Sequence, residues 1–396
     1  MIKPNLKVSK VKGSATISIT MRANELKAEG KNVISLAAGQ PDFDTPEYIK
    51  EACIKALRAG KTKYTPPDGT AQLRKAISGK FKKDNNLDYP INQIVVSCGA
   101  KHSLYNIFQL ILENADEVII PQPYWVSYPE FVTLAGGESV FVQTKEENNF
   151  LITPAQLENA ITGKTKAVVL NSPSNPTGMA YDAPMLKSLG EVLKKYPHIV
   201  VISDEIYEDL TYGGFKHTSF ATAVPELFDR TFTVNGFSKT FSMTGWRLGY
   251  TGCPNKEIAA AMKRIQAHST TGATSFAQDG AVAALVESKE CVEVMRKAFD
   301  ERREYVVNAL NEIPGIKCLN PKGAFYVFPN ISAWGIPSFE LATRLLEEIN
   351  IAVIPGAAFG ADRNVRISFA TSMEDLKEAV TRLKKWVSDQ NSSSKL

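Results

Sequence analysis

From residue 92 to residue 239 the chain alternates short β-branched runs with longer stretches of helical periodicity, and this alternation limits its fold more than any other feature. "NQIVVSCGA", "DEVIIPQP", "ESVFVQT", "TKAVVLNSPSNPTG", "HIVVISDEIY" and "RTFTVNGFSK" read as strands bounded by turn residues. Amphipathic stretches such as "KHSLYNIFQLILEN" and "APMLKSLGEVLKKY" separate several of them. Such a succession predicts βαβ units around a buried, mostly parallel sheet. In sheets of this kind ligands sit beyond the carboxyl ends of the strands. Each of these runs ends in polar or glycine-rich residues.

After about residue 285 the texture changes. A charged helical pattern, "ESKECVEVMRKAFDERREYVVNALNEI", leads into short runs ("GAFYVFPN", "IAVIP", "NVRISFA") and a closing helix, "MEDLKEAVTRLKKWVSD". This predicts a smaller α+β domain, joined by the N-terminal arm, with a frayed tail "QNSSSKL". A chain of 396 residues is too long for one small core, so two domains are expected.

Charge excludes one class of function. Lys and Arg exceed Asp and Glu by only 46 − 42 = +4, far from the concentration of a dedicated nucleic-acid binder. The five cysteines (Cys53, Cys98, Cys253, Cys291, Cys318) are scattered and never form C-x-x-C, so neither a disulfide framework nor a zinc site is expected, and a reducing cytosol fits. His102, His198, His217 and His268 show no ligand spacing, and no metal is expected. No apolar run approaches the ~18 residues of a membrane span. Met1 to Asn24 carries Lys and Arg without acid, as a weak transit peptide would. Pro4 and Gly13 interrupt it and no apolar core follows, so it reads as an ordered arm.

The strand ends carry the chemistry. Asp204 in "ISDEIY" closes an apolar run, where a carboxylate is costly unless a cation meets it; a helix N-cap would look the same. "SCGAKHSL" places Gly99 between a strand and a helix, so that free backbone amides face a potential anion, although a tight turn would also use it. It is neither a Walker A loop nor G-x-G-x-x-G. In "NSPSNPTG", Asn175 precedes Pro176, which holds it out of helical geometry. "QPYWVSYP" places Trp125 beyond another strand end. "TVNGFSKTFSMTGWRLGY" holds Lys239 between small hydroxyl residues, with Arg247 a few positions on.

A carboxylate, a phosphate cradle, an asparagine, an aromatic face, a lysine and an arginine together suit one ligand, pyridoxal phosphate. Its ring nitrogen wants an aspartate, its aldehyde a lysine for a Schiff base, its phosphate amides and a basic group, and its ring a flat neighbour.

The combination of "NSPSNPTG", "SDEIYE" and "GFSKTFSMTGWRLGY" resembles the class I (fold-type I) pyridoxal-phosphate-dependent aminotransferases, specifically the bacterial aspartate aminotransferase branch called Ib. The similarity runs from "SATISITMRANELKAEGKNVISLAAGQPDFDTP" through "KTKYTPPDGTAQLR" and "PYWVSYPE" to "NVRISFATS". It implies an α/β fold: a large domain with a mostly parallel central sheet flanked by helices, plus a smaller α+β domain. The implied division is 1–45 for the arm and part of the small domain, 46–290 for the cofactor-binding domain, and 291–396 for the rest of the small domain.

The resemblance also implies roles. Lys239 would bond the cofactor and shuttle a proton, with Asp204 against the ring nitrogen, Tyr207 and Asn175 on the phenolic oxygen, and Trp125 stacked on the ring. Gly99, Ala100 and Lys101 backbone groups, with Ser238 and Arg247, would hold the phosphate. Tyr64 would reach that phosphate from a second subunit, which makes the enzyme a homodimer. Arg366 would grip the substrate α-carboxylate in a bidentate pair, assisted by the Gly39 amide.

Substrate choice follows the same route. "IQAHSTTGATSF" offers no distal-carboxylate arginine beyond the early Arg264. Branch Ib implies instead that the Lys101 side chain and Thr16 meet that group, so aspartate with 2-oxoglutarate is the expected pair. Lys12 lies where use of prephenate, giving arogenate, has been linked to a charged residue. Aromatic or alanine specificity, or a carbon–sulfur lyase on the same fold, are the competing readings. A regulator of this fold would add a DNA-binding module; the similarity begins near residue 14, so none is expected.

Overall fold

The computed structural model describes residues 2–13 and 15–392, with the side chains of residues 15–17 and 391 outside that description. A two-residue strand, β1 (Ile34–Ser35), precedes the large domain. Seven strands then build the central sheet: β2 (Ile94–Ser97), β3 (Glu117–Gln122), β4 (Glu138–Gln143), β5 (Thr165–Asn171), β6 (Val200–Asp204), β7 (Thr231–Gly236) and β8 (Gly249–Gly252). Their order is β2-β8-β7-β6-β5-β3-β4. Every neighbouring pair is parallel except the two made by β8, which runs antiparallel between β2 and β7.

The six runs read as strands from their β-branched texture are strands β2 to β7. Burial on both faces explains that texture, since β2 and β7 are buried throughout and β6 nearly so. The edge strand β4 is largely exposed or half-buried. One face packs Val95, Val118, Val169 and Ile202 against Leu104 and Ile107 of the helix Ala100–Ile111. The other packs Ile119, Val168 and Val201 against Leu186 and Leu189 of the helix Ala183–Lys194. That helix starts where Asp182 accepts from the Met185 amide at 2.8 Å, followed by a proline in the first turn.

Consecutive strands β2 and β3 lie near opposite sides of the sheet. The helix Ala100–Ile111 makes that crossing, so its N-terminus opens at the carboxyl edge of the central strands. Reversal of strand order at this point is where such sheets hold ligands.

The smaller domain adds β9 (Tyr326–Val327), β10 (Ile351–Ala352), β11 (Ile354–Pro355) and β12 (Val365–Ser368). β12 pairs antiparallel with β11 and β9, and β1 pairs in parallel with β10. The long helix Glu290–Asn311 and the closing helix Met373–Ser392 pack Phe299, Val306, Leu383 and Trp386 against this layer. The closing helix continues through Gln390, which accepts from Arg344 Nη2 at 2.7 Å, so the first part of the expected frayed tail is helical. Residues 393–396 lie outside the described chain. Among the described residues no helix is long and apolar enough to cross a membrane.

Candidate active site

Asp204 ends β6, Lys239 follows β7 by three residues, Asn175 follows β5 by four, Trp125 follows β3 by three and Gly99 follows β2 by two. These strands share one direction, so all five residues emerge at one edge. A cavity of about 1490 Å³ opens there between the two domains. Lys239, Asp204, Tyr207 and Asn175 line it, as do Trp125, Ala100, Lys101, Ser238 and Arg247. Gly39, Lys12 and Arg366 reach it from the arm and the small domain.

Lys239 sits recessed in the cavity wall, its Nζ donating to the Gly39 carbonyl and lying 5.9 Å from the Tyr207 ring centre and 5.7 Å from that of Phe325. Burial first, then the charges of Arg366, Arg247 and Lys101, bring its pKa down to about 7, while Asp204 pulls the other way. A lysine in this state is an available nucleophilic amine near neutrality. Asp204 moves oppositely: burial raises its pKa to about 6, tempered by the Tyr128 hydroxyl and the Ile206 amide. The two are donors to opposite oxygens, at 2.6 Å and 3.3 Å.

Arg366, on β12, is buried. Its Nη1 donates to Asn175 Oδ1 at 3.0 Å and its Nη2 to the Ala37 carbonyl at 2.8 Å. Its Nε is buried without an acceptor. The guanidinium lies 4.4 Å from the Tyr326 ring centre and 5.2 Å from that of Phe359, faces that keep a buried cation favourable. Asn175 is aimed by its own backbone, whose amide donates to Asn171 Oδ1 at 2.9 Å. Asn171 in turn donates to the Asp204 carbonyl at 3.0 Å, which ties the loop after β5 to the ends of β5 and β6.

Gly99 caps the helix Ala100–Ile111 at φ +87° with no side-chain acceptor. That backbone conformation is one that L side chains rarely adopt, and a Cβ there would also stand 2.7 Å from the Arg247 Nη2 end of the guanidinium, which would have to shift. The His102 and Ser103 amides return to the Gly99 carbonyl, while those of Ala100 and Lys101 have no partner among the described residues. Lys101 Nζ lies 5.0 Å from the Trp125 ring centre, and burial and Arg247 lower its pKa. Arg247 holds a left-handed φ of +55° and donates to the Thr244 carbonyl at 2.8 Å.

Two expected residues stand apart. Tyr64 is almost fully exposed and lies outside this cavity. Thr16 falls in the helix Ala15–Ala28, but its side chain lies outside the described residues. Gly39 meets the site through its carbonyl, on Lys239. Sequence reasoning missed Tyr128 and Tyr326, which touch Asp204, Tyr207 and Arg366. Tyr128 stands three residues after Trp125 in "PYWVSYPE", and helical spacing from the tryptophan could have found it; nothing local marks Tyr326.

Spatial proximity also groups Glu205, Glu208 and His217, whose ligand atoms lie within 4.8 Å of one another. Protein donors already occupy both carboxylates: Ser203, Ser219 and the Phe220 amide on Glu205, and Lys80 and Asn85 on Glu208. It is a buried ion-pair network.

Residues 31–383 match the family model described as aminotransferase class I and II. The chain belongs to this family. It is 50% identical over 386 residues to the aspartate aminotransferase of Bacillus subtilis, covering 96% of this chain and 98% of that one. It is 48% identical over 389 residues to a probable aspartate/prephenate aminotransferase of Rhizobium leguminosarum, covering 96% and 97%. The solved aspartate aminotransferase of Rhizobium meliloti superposes with a TM-score of 0.95 at 41% identity, covering 98% of this chain and 99% of that one.

This aminotransferase therefore acts on amino acids and 2-oxo acids with pyridoxal 5′-phosphate as cofactor. The residues present fit that group. Unpartnered Ala100 and Lys101 amides and Arg247 offer an anion cradle, Lys239 is a low-pKa amine, and Asp204 is a buried carboxylate whose high pKa calls for a cation.

Proposed function

We propose that this aminotransferase moves the amino group of L-aspartate to 2-oxoglutarate, giving oxaloacetate and L-glutamate in two half-reactions at one site. The observation that carries this reading is the convergence of Lys239, Asp204 and Arg366 on one cavity. When bound, the cofactor supplies an electron sink for the carbon that loses its proton. Asp204 would hold the ring nitrogen in its cationic form, a contact that lowers the carboxylate's own pKa. Tyr207 and Asn175 would donate to the phenolic oxygen, and Trp125 would cover the ring. Gly99, Ala100 and Lys101 backbone groups, with Ser238 and Arg247, would hold the phosphate.

Lys239, with a pKa brought down to about 7, can take a proton from the amino acid's α-carbon and return it. Arg366 would bind the α-carboxylate, a role supported by its free buried Nε, with the Gly39 amide beside it. The Lys101 side chain and Thr16 would meet the distal carboxylate. Lys12 on the cavity rim favours prephenate as a second amino acceptor, in keeping with the relative named aspartate/prephenate aminotransferase.

The same reading makes the enzyme a homodimer in which Tyr64 of each subunit serves the other's phosphate. Residues 46–290 would form the cofactor-binding domain, and 1–45 with 291–396 the arm and the small domain. Pairing of β1 with β10 supports that division. Five unpaired cysteines support a cytoplasmic location.

The deciding experiment follows the absorbance of the purified holoenzyme on adding aspartate, with oxaloacetate release measured once 2-oxoglutarate is present. A spectral change with stoichiometric oxaloacetate is expected. Pyruvate release from cystathionine in its place would make the protein a carbon–sulfur lyase. Aspartate turnover left intact by Thr16→Val together with Lys101→Ala would remove the distal-carboxylate assignment.

A further inference from the structure

We infer that Tyr326 is a positioning residue that couples the grip on the substrate's α-carboxylate to the hydroxyl facing the cofactor ring. Its ring face meets the Arg366 guanidinium at 4.4 Å, and its hydroxyl lies 3.1 Å from that of Tyr207. It is completely buried and lines the cavity. The inference rests on the roles proposed above for Arg366 and Tyr207.

The small sheet brings these groups together. Tyr326 on β9 pairs with Ser368 on β12, and Arg366 stands two residues before Ser368 on the same strand. Residues two apart share a face, so Arg366 and Tyr326 are diagonal neighbours on one side of the sheet. Phe359 covers the guanidinium from another direction. The arginine therefore cannot tilt without losing an aromatic face, and its free Nε keeps one direction.

The hydroxyl contact has a defined polarity once a ligand is bound. A phenol has one proton, so if Tyr207 donates its own to the cofactor's phenolic oxygen, Tyr326 must donate to Tyr207. Donation from Tyr326 polarises the Tyr207 hydroxyl and makes it a stronger donor. Without it, the phenolic oxygen retains more negative charge, and a proton on the neighbouring Lys239 nitrogen is held more tightly.

Two substitutions separate the two contacts. Tyr326→Phe keeps the ring and removes the hydroxyl; Tyr326→Leu removes both. Maleate, a four-carbon dicarboxylate, serves as the probe, its binding read from cofactor absorbance, and the same absorbance is titrated against pH. With the ring contact kept, Tyr326→Phe should bind maleate within about twofold of the parent. Its titration midpoint should rise by about half a pH unit or more. Tyr326→Leu should show the same rise and bind maleate about tenfold more weakly, having lost a desolvated cation–π contact.

An unchanged midpoint in Tyr326→Phe, or parental maleate affinity in Tyr326→Leu, would overturn the inference. Arg366→Leu is the control for the underlying assignment. If it weakens maleate binding while Tyr326→Leu does not, the coupling fails and the carboxylate assignment stands. If Arg366→Leu binds maleate as the parent does, the assignment itself fails and the coupling with it.

Discussion

The Tyr128 hydroxyl donates to Asp204 Oδ2 at 2.6 Å, and it is the strongest local counterweight to the burial that drives this carboxylate toward its neutral form. Trp125 packs edge-on against the same tyrosine, with ring centres 5.3 Å apart at 82°. One helix entrance thus carries both Trp125, which would cover the cofactor ring under the proposed function, and Tyr128, whose hydrogen bond favours the ionised form of Asp204. Tyr128→Phe should raise the Asp204 pKa further and weaken cofactor binding by about tenfold or more, the scale of a hydrogen bond to a charged group. The loss should be larger at pH 6 than at pH 8, measured as cofactor dissociation constants at both values.

Lys239 makes the cofactor-free protein's stability depend on pH in a stated direction. Its pKa falls from the ordinary 10.5 to about 7 on folding. Between those values the unfolded chain holds a proton that the folded one has released, so this group makes stability rise with pH across that window. Below about 7 both states are charged and the full cost of burying the ammonium applies. Lys239→Met should therefore raise the Tm of the cofactor-free protein more at pH 6 than at pH 9, where calorimetry should find the gap narrowed.

The same substitution should abolish turnover, because the proton at the α-carbon would have no carrier. A loss of at least about 10²–10⁴-fold is expected for a missing acid–base group. Reduction with borohydride should leave the cofactor attached to the parent chain and not to the variant, as mass spectrometry would read.

Tyr64 tests the shared site. Lys239→Ala and Tyr64→Ala homodimers should each be crippled, but unfolding and refolding them together should form hybrids with one intact site. Random pairing of equal amounts restores about a quarter of the wild-type sites in a two-fold dimer. No recovery would place Tyr64 outside the neighbouring subunit's site.

Gly249 is a packing test. A Cβ at this position on β8 would stand 2.1 Å from the Ala100 nitrogen, backbone against backbone. Gly249→Ala should push the helix end away, at a cost of about 1–3 kcal/mol or more for overpacking. Cofactor affinity should fall in parallel with Tm.

Much of this was legible without coordinates where a residue's job is set by its neighbours in the chain. Asp204 ends, and Lys239, Asn175 and Gly99 follow, strands whose β-branched texture marks burial on both faces, and parallel strands must deliver their ends to one edge. β8 was not legible. "GYTG" carries two glycines that weaken any strand signal, and they are there because Gly249 passes under the Ala100 amide and Gly252 under the Tyr89 ring.

The chain's local pattern alone determined the strand-and-helix alternation, the cation-rich loops and the chemistry those loops can support, because periodicity and turn residues act over a few positions. Only the tertiary structure decided that Tyr128 donates to Asp204 76 residues away, that Tyr326 lies beneath Arg366, and that burial brings Lys239 to about 7 and Asp204 to about 6. Those quantities depend on desolvation and on charges brought together from distant segments. Neither exists until the sheet, the arm and the small domain close on one cavity.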